Sequence, residues 1–92
     1  MKQDQAEVIG LQALGWLIEN DELRGVFLGA SGASVDDLRT RAGDADFLAS
    51  VLDFILMDDD HIIGFCDANS LAYDLPMQAL YSLPGQGVPN WT

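Results

Sequence analysis

Positive charge is what this chain lacks most. It carries four Lys or Arg against fifteen Asp or Glu, a formal charge of −11. After Arg41 there is no further Lys or Arg, yet eight carboxylates follow in the remaining 51 residues. Affinity for nucleic acid that does not depend on sequence comes from cations that neutralise phosphates. Anionic membranes attract basic segments for the same reason. With a pI of about 4.1, neither nucleic acid nor a membrane is an expected partner.

Cysteine is almost absent too. Cys66 is alone, so no internal disulfide can form, which fits a reducing cytoplasm. It lies in the apolar stretch Ile62-Ile63-Gly64-Phe65-Cys66 and reads as a small buried hydrophobe. Long hydrophobic runs are missing as well. Val8 to Ile18 is the nearest to a signal-peptide core, but Asp4 and Glu7 stand where a basic segment belongs and Gln12 interrupts it. It is also shorter than the roughly 20 residues needed to span a bilayer. The sequence has no G-x-x-x-x-G-K-[ST], G-x-G-x-x-G, H-E-x-x-H or G-x-S-x-G pattern. No catalytic residue and no cofactor is expected.

What is present is helical periodicity, and no segment reads as a strand. Asp4 is placed to cap a first helix that runs to about Glu19, with Ala6, Ile9, Ala13, Trp16 and Leu17 on one stripe. Val8, Leu11 and Ile18 add a second stripe, so the helix is apolar over more than half its circumference. Asn20 and Asp21 start a second helix, with Leu23, Val26, Phe27 and Leu28 inward; Gly29 to Ala33 ends it. Ser34 opens a brief third helix with Val35 and Leu38 inward. Asp37 stands three residues on, too short to close a capping box as well as Glu would.

The fourth helix, about residues 44–58, is the most apolar. Phe47, Leu48, Val51, Leu52, Ile55 and Leu56 repeat at helical spacing, with Phe54 and Met57 beside them. Trp16, Phe47, Phe54 and Phe65 are expected in the core. A fifth helix carries Ile62, Ile63, Phe65 and Cys66 and closes at Asn69 and Ser70. Pro76 suits the first turn of a sixth, which Pro84-Gly85 terminates. The expected fold is an all-α, compact single-domain bundle of five to six short helices, with the fourth at the centre and the first and fifth against it. Residues 1–84 form the domain, and 85–92, with Gly87, Pro89 and Trp91, form a flexible tail.

Three constellations bear on function. Asp58, Asp59 and Asp60 run into His61, the only histidine. Adjacent helical residues point about 100° apart and do not converge on one ion, and the spacing is not that of an EF-hand loop. The run reads as a helix cap, leaving Asp58, Asp60 and His61 as weak candidates for a divalent metal or a small-ligand enzyme site. Phe27 to Arg41 has the gross form of a helix-turn-helix, and Arg39 and Arg41 could touch phosphate. Its recognition helix, however, would begin with Asp36 and Asp37, facing the DNA backbone. Tyr73, Met77 and Tyr81 belong to a short C-terminal helix that is expected to pack loosely, and an exposed aromatic and methionine cluster suits a partner surface.

Ala13-Leu14-Gly15-Trp16-Leu17, Phe27-Leu28 before Gly32, Asp37-Leu38-Arg39, Arg41-Ala42-Gly43-Asp44 and Phe47-Leu48 followed by Val51-Leu52-Asp53-Phe54 resemble a group of small uncharacterised alphaproteobacterial proteins, known as a domain of unknown function. The resemblance covers about residues 5–84. It implies an all-helical fold in a bacterial cytosol and no activity. The expected function is a non-enzymatic protein–protein interaction module, with a homodimer as one form of it.

Overall fold

Six helices follow one another in the computed structural model, which describes residues 1–84; the expected tail at 85–92 lies outside the described residues. They are α1 (Gln3–Glu19), α2 (Asp21–Ser31), α3 (Val35–Thr40), α4 (Ala45–Leu56), α5 (Asp59–Asn69) and α6 (Leu75–Ser82). No strand occurs among the described residues. The Cα radius of gyration, 12.4 Å, matches the roughly 12 Å of a compact domain of this length.

The helix ends follow the cap chemistry in the sequence, with two differences. The Asn20 side chain accepts from Leu23 N–H at 3.2 Å to start α2. Gly32 closes α2 in the left-handed region (φ 75°), where a side chain would be strained. Asp44 starts α4 by accepting from Asp46 N–H at 2.9 Å. Asp4, however, is not a cap: α1 begins at Gln3, so Asp4 sits in its first turn, where a carboxylate still favours the dipole. The Gln5 side chain accepts from Lys2 N–H at 3.3 Å instead. Asp37 also does more than its length suggests. It accepts from Ser34 N–H at 3.0 Å, while Ser34 Oγ accepts from Asp37 N–H at 3.2 Å, a closed capping box.

α4 is at the centre and buries Phe47, Leu48, Ala49, Val51, Leu52, Phe54 and Ile55. α1 crosses it through small residues. Ala6, Gly10 and Ala13 are buried on one face of α1, and a Cβ at Gly10 would stand 3.0 Å from Leu48 Cβ. A side chain there would crowd Leu48, which would have to give by a few tenths of an ångström. α6 is the main departure in packing: it lies against both α1 and α4 rather than loosely at the edge. Ala79 is fully buried, and Pro76, Leu80 and Leu83 are buried beside it. A short side chain at 79 permits close approach, and burial of its neighbours outweighs the shortness of the helix. α5 covers the remaining side of α4, with Phe65 and Cys66 fully buried.

Several apolar residues expected inside are outside. Val26 and Val35 are exposed, as is Met57, at 79% of its surface. Val8 and Leu11 on the second stripe of α1 are also exposed. One small core has room for one stripe of each helix, and Phe27 and Leu38 take the places on α2 and α3. Trp16 is only half-buried and packs on the edge of the core, against Gly64.

Candidate functional site

The acidic run is a helix start. Asp58 precedes α5 with extended backbone, and its Oδ1 accepts from Asp60 N–H at 2.8 Å. Asp59 and Asp60 fill the first turn, where their charge favours the dipole. This repeats the Asp-x-Asp device that opens α4 at Asp44. There the backbone hydrogen bond from Asp46 holds the Asp44 carboxyl below its ordinary pKa, and Arg41 beside it acts the same way.

His61 turns inward from this junction. Its side chain is 19% exposed against 52% for Asp58. The imidazole stacks on Phe54 at 5.3 Å between ring centroids and tilts against Trp16 at 6.5 Å. Nε2 stands 3.9 Å from Asp58 Oδ2, and Nδ1 is buried without a hydrogen-bond partner. Asp58 and His61 thus approach each other, while Asp60 stays exposed in the first turn. No three His, Cys, Asp or Glu side chains among the described residues are arranged to hold a metal.

Beyond α5 the chain reverses. Ser70 adopts the left-handed conformation (φ 57°), and Leu71 N–H bonds Cys66 carbonyl at 2.9 Å. The reversal brings Tyr73 back along α5, where its hydroxyl donates to Asp67 Oδ1 at 2.8 Å. That bond to a carboxylate raises the Tyr73 pKa. Tyr73 therefore lies in the turn before α6, not in the helix as its sequence suggests. Together with Asp59, Ile62 and Ile63 it lines an open groove of about 320 Å³. Ile63 is 43% and Tyr73 55% exposed. Met77 and Tyr81 are one turn apart on α6 and also exposed, but neither lines this groove. Sequence reasoning missed the Tyr73–Asp67 pair. The six-residue separation across a helix end was its only signal.

Cys66, beneath the reversal, is buried, and its Sγ lies 3.5 Å from the Ala72 carbonyl. Burial pushes its thiol pKa up, and Asp67 and Asp74 add to the effect. A thiol in that environment is a poor nucleophile.

A second groove, of about 370 Å³, lies where α1 meets the start of α6 and is lined by Met1, Gln5, Val8, Ile9 and Leu75. No charged side chain is among them. In the segment read as a possible helix-turn-helix, α2 and α3 follow one another through Gly32, and both arginines pair within the chain. Arg39 lies 3.6 Å from Asp36. Arg41 lies 3.3 Å from Asp44, with its guanidinium 4.9 Å above the Phe47 ring. Arg24 is similarly held by Asp21 at 3.0 Å and by the Ile18 carbonyl at 2.8 Å.

No described helix is long and apolar enough to cross a membrane. No curated protein and no solved structure matches the chain. One family does, over residues 3–86, and its description is "Protein of unknown function (DUF3572)". With most of its length matched, and with the all-helical fold that the apolar spacing predicts, the chain belongs to that family.

Proposed function

We propose that the chain is a non-enzymatic protein–protein interaction module that engages a basic partner in a bacterial cytoplasm. One observation carries this reading: large apolar side chains stand exposed on a surface whose arginines are all occupied by the chain's own aspartates. Val8, Leu11, Ile63, Tyr73, Met77 and Tyr81 are the exposed side chains concerned. Exposed apolar groups of this kind mark contact surfaces, and an uncompensated negative field steers and selects a positive partner. Nucleic acid and membrane stay outside the reading, because the same field repels both.

A homodimer is the second form of the reading, and the groove between α1 and α6, lined by no charged side chain, favours it. Two copies charged at −11 repel each other least where neither lining carries a carboxylate. The enzyme alternative at Asp58 to His61 has less support. The carboxylates there are exposed at a helix junction, and the imidazole is packed on aromatic rings.

Sedimentation of the purified chain, alone and mixed with a fractionated bacterial extract, tests the proposal. The expected result is a complex with basic protein that dissociates as salt rises, or a concentration-dependent dimer. A monomer at every concentration that also leaves every extract fraction unshifted would remove the proposal.

A further inference from the structure

The geometry points to the groove between α5 and the Tyr73 turn as the docking site for one kind of occupant: a basic amphipathic helix that inserts an aliphatic side chain between its flanking lysines or arginines. This rests on the interaction-module reading and adds the surface and the partner's chemistry to it.

The groove has an apolar floor and an acidic rim. Ile62 and Ile63 come from α5, and the Tyr73 ring forms the opposite wall. That wall is fixed, because the hydroxyl is held by Asp67 at 2.8 Å. A side chain that is already ordered loses little entropy when a partner packs on it. Asp59 lines the rim, Asp60 and Asp67 are exposed on the same helix, and Asp74 follows Tyr73 in the chain. Not one of these four carboxylates is in an ion pair among the described residues. Residues 42–84 contain no Lys or Arg that could neutralise them.

Charge complementarity therefore selects the occupant. A second copy of this chain would bring carboxylates of its own to the rim. A wholly polar basic segment would leave the isoleucines and the tyrosine ring in water. A helix with aliphatic residues at i, i+3 and i+4 among cations satisfies both parts, as amphipathic helices do in apolar grooves elsewhere. The 370 Å³ groove at α1 and α6 has the apolar part without the acidic one, so it does not make the same selection.

The test uses the full chain, uniformly labelled with 13C and 15N, titrated with a lysine–leucine peptide of about 18 residues, five helical turns. Salt is about 0.1 M, where charges more than about 10 Å apart are screened. The expected result is saturable binding in which the Ile62 and Ile63 methyls and the Tyr73 ring shift first and most. Ile63→Ser with Tyr73→Ser weakens binding about tenfold or more, the scale of one lost anchor residue. Tyr73→Phe, which keeps the ring, stays within about threefold, less than a single anchor loss. A circular dichroism melt of each variant shows that the fold is retained. The proposal is overturned if a peptide of the same composition without the helical pattern binds equally well, or if the shifts spread evenly over the acidic surface. Shifts centred on Val8, Ile9 and Leu75 would overturn this choice of groove while leaving the interaction-module reading in place. Absence of any binding by the patterned peptide would overturn the occupant.

Discussion

The two halves of this chain use aspartate in different ways. In residues 1–41 aspartates at helix starts also pair with arginine: Asp21 holds Arg24 and Asp36 holds Arg39, each three residues apart, while Asp37 closes the capping box of α3. In residues 42–84 arginine is gone, and aspartate serves helix starts. Asp44 and Asp58 cap α4 and α5, and Asp46, Asp59 and Asp60 fill the first turns. Asp44 sits on the border and does both, accepting from Asp46 N–H and pairing with Arg41. Exposed ion pairs contribute on the order of 0–1 kcal/mol, whereas a cap contributes about 1. The second half therefore gains local stability from its carboxylates without spending cations, and it keeps a negative field for use elsewhere.

The largest expected effect contrasts a buried residue of one half with an exposed residue of the other. Leu52 on α4 is fully buried at the centre of the bundle, while Val26 on α2 is more than half exposed. Leu52→Ala should cost about 2–5 kcal/mol, a large part of the on the order of 5–10 expected for a domain this small. Val26→Ala should stay within about 0.5 kcal/mol. Urea denaturation of the two variants checks the contrast, and equal costs would break it.

The next effect separates cap from charge. Asp58→Ala should lose about 1 kcal/mol, while Asp58→Asn, which keeps an accepting oxygen, should lose only a fraction of that. The two variants would lose alike if the negative charge itself were what mattered at this position.

Two pH limbs give smaller contrasts. The folded Asp44 carboxyl lies below its ordinary value of 3.8. Its contribution is thus fully present above that value and is lost as pH falls through the folded pKa. Asp44→Asn should flatten the acid limb of a stability–pH curve, and an unchanged limb would count against the cap. Tyr73 runs the opposite way. Its folded pKa lies above 10.0, so the Asp67 bond contributes below that value and is lost as pH rises through the folded pKa. Tyrosinate absorbance should show one of the two tyrosines ionising late, and Asp67→Asn should bring it back toward 10.0.

Much of the fold was legible in the sequence because caps and periodicity are local. Asn20, Ser34, Asp44 and Asp58 each sit at the cap of a helix, and the apolar repeat of residues 47–56 marks the central helix. What was not legible depends on which stripe wins a place in a small core. Nothing local to Val26 or Val35 says that they will be left outside while Phe27 and Leu38, also expected inward, are buried. The close packing of α6 was hidden for the same reason, since Ala79 reads as neutral until α1 and α4 are placed beside it. The candidate site was legible in part. Tyr73 reads from the sequence as one of an aromatic and methionine cluster with Met77 and Tyr81, but its bond to Asp67 and its groove with Ile62 and Ile63 need the chain reversal at Ser70.

The most direct measurement is calorimetric titration of the lysine–leucine peptide into two double variants, one from each half: Ile63→Ser with Tyr73→Ser, and Val8→Ser with Leu11→Ser. All four positions are exposed, so both variants should fold. The predicted result is about a tenfold or greater loss of affinity for the first variant, the scale of a lost anchor residue, and affinity close to that of the unmodified chain for the second. Equal loss in both, or loss only in the Val8 and Leu11 variant, would contradict the placing of the docking surface on the cation-free half.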